Sequence, residues 1–158
     1  MFDTFTRLHQ FLKDNFFRKY DLDWFAKMGG MFGGPEVPSG RFNGGEKLWF
    51  WGGMVILGTL VSITGLILDF PNWDQGRNMM QLANLLHAIG ATLFIGGSFG
   101  HMYLGTIGMR GAYTAMRDGY VDEQWAKEHH GIWYEEVKAG RRPEKIVTGS
   151  PAPAAGDD

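Results

Sequence analysis

From Leu48 to Leu68, and again from Asn78 to Met109, the chain carries no charged side chain. Each run is long enough for the about 20 apolar residues that an α-helix needs to cross roughly 30 Å of hydrocarbon. Within lipid only helices and closed barrels satisfy every backbone N–H and C=O. Two membrane-spanning helices are therefore predicted, at 48–69 and 79–109. The mean hydropathy of −0.18 averages these runs with three polar segments and conceals them.

The 70–78 connection is short, and a loop of that length joins antiparallel neighbours. The expected fold class is all-α, an integral membrane helical hairpin. Of the 15 Lys and Arg residues, only Arg77 lies in the connection; the others lie on the two flanks. The positive-inside rule then puts both termini in the cytoplasm and the 70–78 turn on the far side.

In the first flank, 1–47, Phe2, Phe5, Leu8, Leu12 and Phe16 recur at spacings of three and four, which predicts an amphipathic helix within 1–28. Such a helix suits a membrane surface or a partner. Gly and Pro make 29–45 a loop. In the second flank, 110–158, a short helix is expected between Tyr113 and Lys138, and a disordered tail over 149–158. The absence of cysteine excludes disulfides, thiolate catalysis and cysteine-held zinc or iron–sulfur clusters within this chain. A net charge of −2, without a basic stripe, argues against nucleic acid.

An imidazole inside a lipid-embedded helix is costly unless it has a partner. His87 and His101, of five histidines, lie in the second run. Fourteen residues of helix bring them about 40° short of four full turns and roughly 21 Å apart in height. They share one face and point to opposite leaflets, which suits axial ligands of two haems; a structural hydrogen bond to a neighbouring helix is the alternative. Neither run holds an Asp or Glu in its core to complete a non-haem site, so haem is favoured over zinc, copper or non-haem iron. Gly90, Gly97 and Gly105, each about one turn from a histidine, leave room for a macrocycle or for close helix packing, as do Gly58 and Gly65 in the first run.

Three separated motifs carry a resemblance: Arg41-Phe42-Asn43-Gly44-Gly45-Glu46-Lys47-Leu48-Trp49-Phe50-Trp51; Leu86-His87-Ala88 with His101-Met102-Tyr103; and Trp125-Ala126-Lys127-Glu128-His129-His130-Gly131-Ile132-Trp133-Tyr134. In that order they resemble the cytochrome b (gamma) subunit of membrane-bound formate dehydrogenase. The resemblance implies a four-helix dihaem cytochrome b in the bacterial cytoplasmic (inner) membrane, with the 70–78 turn in the periplasm. It also implies partners: an iron–sulfur subunit that delivers electrons, a molybdopterin catalytic subunit upstream, and quinone as acceptor near the cytoplasmic side. His87 matches the axial ligand of the outer haem b and His101 that of the inner one. Asn43 and Gly45, with His101, match the quinone pocket. The resemblance implies no catalytic residue and makes the chain an electron-transfer subunit of an oxidoreductase complex.

The family's first two helices, which carry the other axial histidines, have no counterpart here, so the chain corresponds to half of the bundle. His9, His129 and His130 lie in polar segments and cannot face His87. The missing ligands are expected from a longer reading of the gene, from a separate subunit, or from a second copy about a two-fold axis. Two other functions stay open: the cytochrome b of a related hydrogenase or thiosulfate reductase, and a cofactor-free membrane anchor for a peripheral enzyme.

Overall fold

The computed structural model describes residues 2–30 and 37–142. The tail expected at 149–158 and part of the 29–45 loop lie outside the described residues. Everything regular among them is helical.

The first flank forms two helices where one was predicted: α1 (Phe2–Asn15) and α2 (Lys19–Lys27). The break follows from Arg18, which is extended (φ −122°, ψ 165°) and donates its N–H to Asp21 Oδ2 at 2.6 Å. That carboxylate starts a new helix instead of prolonging the old one. Phe11 packs edge-on against Phe42 and Phe50, and Phe16 lies against Trp51. Phe16, the last of the apolar stripe, thus meets the chain's own first long helix, yet it stays more than half exposed, as do Phe5 and Leu8.

That long helix, α3 (Gly44–Asp69), begins four residues earlier than predicted. Asn43 caps it: its Oδ1 accepts from the Glu46 N–H at 2.9 Å, and Glu46 Oε2 accepts from the Asn43 N–H at 2.7 Å. This reciprocal pair satisfies two N–H groups that a helix start leaves unpaired. Trp49–Leu57 winds as a π-helix. The wider turn changes the direction of its side chains relative to an unbroken α-helix. The second long helix, α4 (Arg77–Gly108), is α-helical to Tyr103 and ends in a π-turn at Leu104–Gly108.

The two long helices pack side by side. Trp49 meets Gly97 and His101, Gly58 meets Phe94, Leu60 and Val61 meet Gly90, and Thr64 and Gly65 meet His87. Rising numbers on one helix pair with falling numbers on the other, so they run antiparallel. Only 11% of each apolar window is buried, and Ile56, Ile63, Leu85, Leu93 and Phe99 are each more than half exposed. A soluble core helix hides such residues; these helices have the length and composition to cross a membrane.

The polar flanks gather where α3 starts and α4 ends. The predicted helix over 113–138 is divided into α5 (Ala112–Asp118), α6 (Glu123–His129) and α7 (Gly131–Lys138). Long-range bonds hold this cap together. Lys47 and Asp21 form a fully buried pair at 2.7 Å, Arg142 makes two 2.7 Å bonds to Asp14, and the His130 ring pairs with the Gly40 carbonyl at 2.9 Å.

Candidate functional site

Polar atoms in the middle of apolar helices need partners close by, and His87 finds them on α3. Its Nδ1 lies 3.1 Å from the Val61 carbonyl oxygen and 3.0 Å from Thr64 Oγ1. A carbonyl only accepts, so Nδ1 carries the proton. The neutral ring then holds an unprotonated Nε2, the form in which imidazole binds a metal. Gly65 makes this approach possible: a Cβ there would stand 3.2 Å from His87 Cε1. A donor nitrogen tied to a carbonyl with the opposite nitrogen free is how metal-ligating histidines are commonly held. His87 therefore fits an axial haem ligand.

His101 is held differently. It is exposed, and neither ring nitrogen has a hydrogen-bond partner among the described residues. One face of the ring stacks on Trp49, with centroids 5.3 Å apart and planes 18° apart. Both histidines lie on the unbroken α-helical stretch Arg77–Tyr103, so the predicted spacing of roughly 21 Å along the axis applies. No group of three or more potential metal-ligating side chains assembles among the described residues. A haem asks only one imidazole from each helix that flanks it, which suits two separated histidines better than a protein-only metal cluster would.

The glycines serve packing more than cofactor space. A Cβ on Gly90 would meet Val61 at 3.1 Å, and one on Gly97 would meet Trp49 at 2.5 Å. Gly58 faces Phe94, and Gly105 faces Met116. Gly96 and Gly100, by contrast, have nothing within 4 Å.

Asn43 and Gly45 are neighbours, with a Gly45 Cβ position 3.3 Å from Asn43 Oδ1. Capping engages that oxygen, and the Asn43 amide nitrogen has no partner among the described residues. Gly45 lies under Trp24, whose ring would be 2.6 Å from a Cβ. No described contact joins His101 to either residue; Trp49, one turn beyond Gly45, is the link between them. His9 is exposed at the N-terminus, and His129 and His130 flank Trp125 in the cap.

Residues 5–119 match the family described as prokaryotic cytochrome b561. The chain belongs to that family. The free His87 Nε2 suits the haem that a cytochrome b561 is named for. The match covers α1 to α5 and leaves α6 and α7 outside. The chain is also 31% identical over 127 residues to the cytochrome b556(fdo) subunit of Escherichia coli formate dehydrogenase, covering 78% of this chain and 59% of that subunit. To the cytochrome b556(Fdn) subunit of the nitrate-inducible enzyme of the same organism it is 29% identical over 134 residues, covering 82% and 61%. A formate dehydrogenase cytochrome b556 subunit of Haemophilus influenzae is 28% identical over 138 residues, covering 82% and 56%. The chain thus spans about three fifths of the length of these curated relatives.

Sequence reasoning missed three residues that touch the two histidines: Trp49, Val61 and Thr64. Trp49 carried an interfacial signal that fitted a membrane boundary equally well. Thr64 carried a faint one, as a hydroxyl in the middle of an apolar run. Val61 acts through its backbone carbonyl, which no side-chain pattern reports.

Proposed function

We propose that this chain is the haem-ligating part of the membrane cytochrome b of a formate dehydrogenase, passing electrons from an iron–sulfur subunit through b haems to quinone. The observation that carries the reading is the His87 ring, whose proton is committed to the Val61 carbonyl at 3.1 Å and whose Nε2 is left free. A cofactor-free anchor accounts for the hydrogen bond to α3 but leaves the Nε2 without a partner.

Two b haems supply one-electron chemistry when bound, one at each histidine. His87 and His101 would each hold one haem through a ring nitrogen. The second nitrogen for each comes from another helix, whether of the same gene, a separate subunit or a second copy, because His9, His129 and His130 stand in the polar flanks. The antiparallel long helices form a transmembrane hairpin, half of a four-helix bundle. The cap, carrying most of the Lys and Arg, lies on the cytoplasmic side. There the Asn43 amide N–H donates to a quinone carbonyl, next to the aqueous phase that supplies protons.

Replacing His87 or His101 by alanine in the membrane-bound complex tests the reading. Each variant is expected to lose one of two b-haem signals and formate-to-quinone electron flow. Retained flow in both variants supports the membrane-anchor alternative and removes this one.

A further inference from the structure

Thr64 is buried, 4% exposed, in the middle of the charge-free stretch of α3. Its Oγ1 lies 2.7 Å from the Leu60 carbonyl, 3.2 Å from the Val61 carbonyl and 3.0 Å from His87 Nδ1. A hydroxyl has one proton to give, and the shortest contact assigns it to Leu60. An oxygen lone pair then faces the His87 N–H, which the Val61 carbonyl also accepts. His101 has only the indole face of Trp49, with no acceptor for a ring N–H among the described residues.

A hydrogen bond accepted from the outer N–H of a ligating imidazole fixes its tautomer and ring plane and raises its basicity. A more basic axial ligand favours oxidised iron, and so lowers the potential of the centre it serves. We propose that Thr64 is a positioning residue for His87, and that it makes the haem held by His87 the lower-potential member of the pair. The inference rests on the haem-ligand reading above and adds to it an energetic difference between the two sites.

The test is a redox titration of the b-haem absorbance in the purified holo-complex, unsubstituted and with Thr64→Val and Thr64→Ser. Valine keeps the shape and removes the acceptor; serine keeps the acceptor. The lower of two midpoints is expected to rise in the valine variant by up to about tenfold in the reduced-to-oxidised ratio, or about 59 mV for a one-electron couple. The serine variant returns it, and the upper midpoint stays in place throughout. The low-spin electron paramagnetic resonance signal of the same haem shifts with the valine variant alone. An unmoved lower midpoint, an equal movement of both, or one midpoint shared by both haems overturns the proposal. If the valine variant loses that haem, the serine variant decides: a wild-type midpoint supports the role, and a shifted or absent one overturns it. A complex without any b-haem signal refutes the haem-ligand reading itself, a distinct result.

Discussion

The indole of Trp49 lies almost parallel to the imidazole of His101, with planes 18° apart and centroids separated by 5.3 Å. The same indole rests on Gly53 and Gly97, at each of which a Cβ would come within 2.5 Å of it. Glycine at both positions lets an aromatic ring on one helix reach a histidine on the other. Without a hydrogen bond to orient it, His101 depends on this stack, since aromatic pairs of this kind contribute about 0.5–1.5 kcal/mol beyond their buried area. Trp49→Leu is expected to lower haem retention at His101 and spare the His87 haem, while Trp49→Phe keeps most of it. Haem-to-protein ratios and the reduced spectrum of each variant measure this. Equal loss of both haems would contradict a local role for Trp49.

Asn43 joins two tasks that substitution can separate. Its oxygen caps α3 through the 2.9 Å bond from the Glu46 N–H, and its amide nitrogen is the proposed quinone contact. Asn43→Ser keeps a capping oxygen and removes the amide donor. Asn43→Ala removes both and costs about 0.5–2 kcal/mol of stability. Thermal unfolding in detergent should therefore separate alanine from serine, while the KM for quinone rises in both. An unchanged KM in the serine variant dismisses Asn43 as a quinone contact.

Lys47 is 0% exposed and Asp21 1% exposed; their 2.7 Å pair ties α2 to the beginning of α3. Lys47 also lies over the Tyr20 ring, 4.8 Å from its centroid. Removing one partner leaves a buried uncompensated charge, which costs about 3–5 kcal/mol. Lys47→Met should lower the Tm sharply, and the double variant Asp21→Asn with Lys47→Met should recover much of the loss. Asparagine still accepts from the Arg18 N–H, so the start of α2 survives. A double variant no more stable than the single one refutes this account of the pair.

Asp14 links the two flanks. Burial works to raise its carboxyl pKa, but the Arg142 hydrogen bonds and charge, with Gln10 and Arg41, outweigh it and hold the group below its ordinary value of 3.8. The same pairing raises Arg142, through its hydrogen bond to Asp14 first. Because the folded value is depressed, the stabilisation is present above the ordinary carboxyl value and is lost as pH falls through the folded one. Acidification below about pH 4 is therefore expected to loosen the contact between α7 and α1. Hydrogen exchange across 131–142 should increase over that range, and Asp14→Asn should remove this pH dependence. Exchange that rises equally in both proteins would falsify the assignment to Asp14.

Much of the fold is legible in the linear chain because it depends on local composition. Charge-free runs that exceed a bilayer's thickness become helices, since lipid leaves the backbone no other partner. The histidine spacing translates directly into one helical face because α4 is α-helical between His87 and His101. The start of α3 was missed: the glycines suggested a loop up to Gly45, and Asn43 and Glu46, three residues apart, cap the helix there instead. The amphipathic helix expected within 1–28 is α1, whose apolar stripe ends at Phe16, while a second helix starts beyond the extended Arg18, which that stripe did not announce.

Tertiary structure alone decided what faces each histidine. The rotation of α3 about its axis follows from its π-helical stretch and its packing on α4, and it brings Val61 and Thr64 to His87 and Trp49 to His101. Residues far apart in sequence become partners only when helices pack, as with Asp14 and Arg142, separated by 128 positions. Helical periodicity determined that two imidazoles share a face; interhelical packing determined that one of them is held by a hydrogen bond and the other by an aromatic ring.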